Sequence, residues 1–205
     1  MYPEPTATQR LGLTFLHRSN QFQKTMGHWT AWLALSLVVL SAMVVVLRYG
    51  FDFGNVALQE TLLYNHAIFF MLGMAYTLQQ DAHVRVDVFY SRFSTQGKAR
   101  VNLIGALGLA LPAMVFLFVA SLDYVTGSWA IQEGSSEAGG LAWLYLLKTF
   151  ILIMAILMIS QILAMALASF YLLRLSPEQR QHPLAQAALG DALHHLDTQH
   201  NKEVA

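Results

Sequence analysis

The chain has 205 residues, of which 56% are hydrophobic and 12% charged. A soluble domain carries about 25% charged residues, so this is the composition of a membrane protein. The formal net charge of zero suggests no nucleic-acid partner, and the absence of cysteine removes disulfides, thiolate metal sites, iron–sulfur clusters and cysteine nucleophiles together.

Residues 1–24 are polar and lack an apolar signal-peptide core, so the first apolar run is expected to serve as its own uncleaved insertion signal. Arg10, Arg18 and Lys24 make this lead-in basic. Pro3 and Pro5 oppose helix at its start, and a short amphipathic helix around 11–22 is weakly signalled. Span one is expected at 27–47, uncharged and opened by Trp29 and Trp32, which suit a water–lipid boundary. Such a run can cross a hydrocarbon core about 30 Å thick. Arg48 closes it.

A turn follows at 48–56 (RYGFDFGNV), punctuated by Gly50, Asp52, Gly54 and Asn55. Span two, expected at 57–78, is the most polar, with Glu60 near one end and Asn65, His66 and Tyr76 further in. Gly73 and Ala75 permit close helix packing. Arg48 and Glu60 flank the turn and are candidates to pair across the hairpin.

The charged stretch 79–100 (QQDAHVRVDVFYSRFSTQGKAR) sets the orientation. Arg85, Arg92, Lys98 and Arg100 in one short connection should keep it in the cytoplasm. Val86, Phe89, Tyr90 and Phe93 fall at i, i+3, i+4 and i+7, so an amphipathic helix over about 84–94 is expected to lie in the headgroups, in contact with membrane lipid. Val84, Val86 and Val88 also alternate, which leaves a strand open, but a lone strand would have no partner. His83 and Asp87 share a helical face. A metal site there needs more ligands than Asp81 supplies.

Span three is expected at 101–125. Ala106 and Ala110, with Gly105 and Gly108, give it small surface, and Pro112 should kink it. The loop 126–140 (TGSWAIQEGSSEAGG) holds Glu133 and Glu137 and no basic residue. With Asp123 these could dock a soluble partner by charge, or simply be solvated. Span four is expected at 141–173, with Lys148 one to two turns in and able to snorkel outward. Residues 176–205 are expected to be a flexible cytoplasmic tail, whose His182, His194, His195 and His200 lack regular ligand spacing.

The expected fold is therefore an all-α integral membrane protein with four transmembrane helices, both termini inside. No span carries a charge near its centre, as ion and proton pathways normally do. That favours an accessory subunit over a carrier or a small channel. A haem-binding anchor of a respiratory enzyme is the alternative, but spans three and four hold no histidine to ligate opposite His66. No cofactor, metal or catalytic residue is expected.

Certain residues bring a family into view. Arg48-Tyr49 closes span one, Glu60 opens span two, and Asp81-Ala82-His83-Val84-Arg85-Val86-Asp87 follows it. Further on come Glu133, Ser136, Glu137, Gly139-Gly140-Leu141 and Tyr145-Leu146-Leu147-Lys148. Over roughly 25–175 the chain resembles the small membrane subunit, the Q subunit, of tripartite ATP-independent periplasmic (TRAP) transporters. The resemblance implies a bacterial inner-membrane protein that braces a large elevator-type carrier subunit. It implies that a periplasmic substrate-binding protein docks on the pair for sodium-coupled uptake, usually of an organic acid. Arg48, Glu60, His83, Asp87, Glu133, Glu137 and Lys148 would then be structural or docking residues.

Overall fold

A computed structural model describes residues 4–82, 90, 93–190 and 192–193. Among them every regular element is helical. The helices are α1 (Ala7–Gly50), α2 (Val56–Gln79), α3 (Thr95–Gly105), α4 (Leu111–Ala130), α5 (Leu144–Arg174) and α6 (Pro177–Arg180), with a π turn, Ala106–Ala110, joining α3 to α4. Among the described residues four stretches are long and apolar enough to cross a membrane: α1, α2, the continuous run Thr95–Ala130, and α5. The most apolar part of α5 is 39% buried against 6% for each of the others. Alone, the chain covers only α5 well; the other three leave broad apolar faces open.

Local chemistry sets the ends. Thr6 and Gln9 cap α1 reciprocally: Thr6 Oγ1 accepts from the Gln9 N–H at 3.3 Å, and Gln9 Oε1 from the Thr6 N–H at 2.9 Å. The helix then runs for 44 residues. At 1.5 Å per residue that is about 66 Å, roughly twice a hydrocarbon core. Asn55 caps α2, its Oδ1 accepting from the Leu58 N–H at 3.0 Å. Asp52, at φ 52°, turns the chain between the two helices. In the third span the irregularity lies just before Pro112. The Leu111 N–H reaches back to the Ala106 carbonyl, closing a π turn over Ala106–Ala110. Proline cannot donate to the turn before it, and the wider turn accommodates its ring.

The chain packs as two compact units. The first gathers Met1–Lys24, Thr77–Met114 and Met158–Ala205. Its core joins Leu13 and Leu16 of α1, Ala99 of α3, Ala164, Ala168, Tyr171 and Leu172 of α5, and Ala185, Ala188 and Leu189. Residues 183–190 are helical, with Pro183 in the first turn, where a missing N–H does no harm. His17 Nδ1 lies 3.2 Å from the Ala187 carbonyl oxygen. Arg180 satisfies carbonyls at the end of α5, donating to Leu172 at 2.6 Å and Leu175 at 3.2 Å.

Residues 79–82 and 93–100 of the charged stretch between the second and third spans also belong here. His83 to Phe89, Ser91 and Arg92 lie outside the described residues, and with them Val86, His83 and Asp87. The amphipathic helix expected over 84–94 thus lies largely outside the described residues; of its apolar positions, Phe93 is 45% exposed but Tyr90 only 8%, and the Tyr90 hydroxyl donates to Asn102 Oδ1 at 3.1 Å. Lys98 is 2% exposed, its ammonium 5.7 Å from the Tyr90 ring centroid. One of the four basic residues of this stretch is therefore inside the protein.

The second unit holds Thr25–Tyr76 and Val115–Leu157. In it α1 and α2 meet closely at Gly27, where an added Cβ would fall 2.5 Å from Tyr76 Cγ. Further along, Asn65 crosslinks the same helices. Its Oδ1 accepts from Ser36 Oγ at 3.1 Å, and its Nδ2 donates to the Leu33 carbonyl at 3.1 Å. Replacing Gly27 with leucine should overpack this contact by about 1–3 kcal/mol. Thermal melting of the purified protein checks this, against Gly54→Ala as a control, since nothing lies within 4 Å of a Cβ there.

Candidate functional site

Three of the polar residues picked out near the ends of the spans, Glu60, Glu133 and Lys148, converge, within the second unit, on the connection between α4 and α5. Glu60 sits in the second turn of α2 and grips that connection twice. One carboxylate oxygen accepts from Ser135 Oγ and the other from the Leu141 backbone N–H at 2.6 Å. Ser135 and Leu141 are themselves paired, the Ser135 N–H donating to the Leu141 carbonyl at 2.8 Å. One carboxylate thus closes a small backbone ring. Gly140 is needed inside it: a Cβ would stand 2.5 Å from Ser135 Oγ and 2.7 Å from Glu60 Oε2. Its neighbour Gly139 adopts φ 79°, a conformation open to glycine at little cost.

A second clamp holds the start of the same connection. Lys148, on the second turn of α5, donates to Glu133 Oε2 at 2.5 Å. Its ammonium also lies 4.0 Å from the centroid of the Tyr124 ring. The Lys148 side chain is 10% exposed and that of Glu133 31%. The lysine therefore turns into the protein rather than out to water, because a carboxylate and an aromatic face await it there. The hydrogen bond from Lys148 holds the Glu133 carboxyl below its ordinary range, against the opposing effect of partial burial. Next to the pair, Trp129 Nε1 donates to Thr149 Oγ1 at 2.8 Å, and the Trp129 and Tyr145 rings meet edge to face at 4.7 Å.

The connection is also tied through its backbone. The Glu133 N–H donates to the Ser128 carbonyl at 3.0 Å, and the Tyr145 N–H to the Glu133 carbonyl at 3.2 Å. Ser136 and Glu137 are left exposed on this frame. Of the three acids in the connection and its flanks, Glu133 is neutralised by Lys148, while Asp123 and Glu137 face solvent.

Arg48 does not join this cluster. It is exposed in the last turn of α1, where a cation is favourable at the helix end, and Glu60 spends its carboxylate on Ser135 and Leu141. Beside it the turn presents three aromatic side chains: Tyr49 at 81%, Phe51 at 73% and Phe53 at 52% exposure. The arrangement holds a loop still and leaves polar and aromatic groups outside it.

The first unit contains a cavity of about 70 Å³, lined by polar groups of Asn20, Gln79, Asp81, Asn102, Gln161 and Ser169 among others. Gln79 Oε1 and Gln161 Oε1 are buried there without a protein partner. A water needs about 10–15 Å³ of such space and two or more polar partners. Size and lining therefore suit a few ordered waters.

A family model, described as Tripartite ATP-independent periplasmic transporters, DctQ component, matches residues 37–172, more than half of the chain. That span takes in the turn, Glu60, both clamps and most of α5. No curated protein and no solved structure matches the chain.

Proposed function

Because the chain belongs to the DctQ family of tripartite ATP-independent periplasmic transporter components, we propose that it acts as the scaffold of such a transporter rather than as its carrier. The chain lies in the bacterial inner membrane with both termini in the cytoplasm. It braces a large elevator-type membrane subunit and helps dock the periplasmic substrate-binding protein. Transport is sodium-coupled uptake of an organic acid, with specificity residing in the binding protein.

The observation that carries this reading is the doubly clamped loop. Glu60 fixes Ser135 and Leu141, and Lys148 fixes Glu133, while Ser136 and Glu137 stay exposed. A pre-ordered surface binds a soluble partner without the entropy loss of ordering a loop, and an unpaired rim charge steers the encounter. In this reading Arg48 and the aromatic turn belong to the same periplasmic side. The open apolar faces supply the other contact. Ile104, Leu109 and Phe116 are 71%, 75% and 74% exposed, and nothing lies within 4 Å of a Cβ at Gly105 or Gly108. Small residues on such a face let a partner helix approach closely. His83 and Asp87, at the family's motif positions, are assigned to the cytoplasmic edge of this scaffold.

Co-expression tests the reading. A tag on this chain should retain the large membrane component through detergent extraction and size exclusion, in a fixed ratio. Elution of the tagged chain alone, from cells that contain both, would remove the scaffold role.

A further inference from the structure

His66 stands near the middle of α2, about 15 Å of helix from Val56 and about 20 Å from Gln79. Against a hydrocarbon core about 30 Å thick, that is close to mid-depth. Its side chain is exposed, and on the same face Leu63 is 63% and Phe70 59% exposed. The adjacent Asn65 is engaged elsewhere, with Ser36 and the Leu33 carbonyl. Among the described residues, nothing forms a hydrogen bond or ion pair with the imidazole.

A neutral imidazole carries one donor and one acceptor. Hydrocarbon satisfies neither, and leaving both bare at this depth is costly. Ionisable groups inside membranes accordingly face a protein interior or a wet cavity. The imidazole is exposed and has no partner among the described residues of this chain, so a second chain is the interior that can receive it.

We propose that the Leu63–His66–Phe70 face of α2 packs against a transmembrane helix of the large membrane subunit, and that His66 hydrogen-bonds a polar side chain there. This rests on the scaffold reading and adds the face and the residue that make the contact. A second copy of this chain fits less well. A two-fold pairing sets His66 against His66, so the two rings share one bond and leave one donor and one acceptor unmet. A partner helix with its own polar side chain at that depth can meet both.

The test uses the full complex in membranes. With the photo-crosslinker p-benzoylphenylalanine at position 66, light should join the chain to the large component, identified by mass spectrometry. The same probe at Ser41, exposed on α1, serves as the comparison. His66→Leu, which suits lipid better than histidine does, should weaken association about threefold, the size expected for one interhelical hydrogen bond in a bilayer. His66→Gln, which keeps a donor and an acceptor, should restore most of it. An adduct of twice the chain's own mass, or with lipid alone, overturns the proposal. So does His66→Leu associating as well as wild type. If wild-type chain does not associate at all, the scaffold reading itself has failed, which these variants then distinguish from a misplaced face.

Discussion

Replacing Glu133 with leucine will lower the melting temperature of the purified protein by several degrees, and adding Lys148→Met to that variant will recover most of the loss. Glu133→Leu strands the Lys148 ammonium, whose side chain is 10% exposed, without the carboxylate now 2.5 Å away. A charge left in such a place costs more than the intact pair contributes, and replacing both partners by apolar groups removes the problem. The double-mutant cycle therefore separates an orphaned charge from a mere loss of packing. Glu137→Leu, on the exposed rim of the same loop, should change little.

The pH dependence follows from the same pair. Lys148 depresses the folded pKa of Glu133 below its unfolded value. The contribution is thus complete above the unfolded carboxylate pKa, about 4.3, and disappears as pH falls through the lower folded value. Wild type and Glu133→Gln should differ in melting temperature at neutral pH and converge in acid. A difference that persisted unchanged below both values would show that the carboxylate's charge is not what holds the loop.

Valine at Gly140 should be the most damaging change in the loop. Its Cβ would stand 2.5 Å from Ser135 Oγ and 2.7 Å from Glu60 Oε2, so the carboxylate cannot keep both partners. Overpacking of this kind costs about 1–3 kcal/mol, and in a chain of this size each kcal/mol lowers the melting temperature by about 2–4 °C. Limited proteolysis between Glu133 and Trp143 reads the effect directly: the wild-type loop should resist cleavage and Gly140→Val should be cut. Gly139→Ala gives a second variant. It strains a φ of 79° with nothing within 4 Å of the new Cβ, so it should loosen the loop without displacing Glu60.

How much of this was legible in the sequence depends on which interactions carry it. The four apolar spans were, because apolar runs of span length and the breakers Gly50, Gly54 and Asn55 act locally; the continuation of the first span back to Ala7 as one helix was not. The position of the third-span irregularity followed from Pro112, but not its form, since the wider turn at Ala106–Ala110 depends on how the backbone relieves the proline ring. The sequence marked Glu60, Glu133 and Lys148 as polar groups near span ends. It could not say that Glu60 would turn to Ser135 and the Leu141 N–H, because residues 75 to 81 positions apart are brought together only by packing. Gly139-Gly140 was the one local hint. The sequence marks Lys148 as able to snorkel outward and Lys98 as one of the basic residues that keep its loop in the cytoplasm, whereas their burial depends on Tyr124, Glu133 and Tyr90 standing nearby. The helix at 183–190 was hidden because its apolar run, Leu184-Ala185 and Ala187-Ala188-Leu189, is short and set between polar, histidine-bearing segments.

The most direct measurement is solute uptake by proteoliposomes. Vesicles holding this chain with the large membrane component and supplied with the binding protein should accumulate the solute under a sodium gradient, whereas vesicles holding this chain alone should accumulate none. Sustained uptake by the chain alone would contradict the scaffold role, and so would undiminished uptake by the large component and binding protein in its absence.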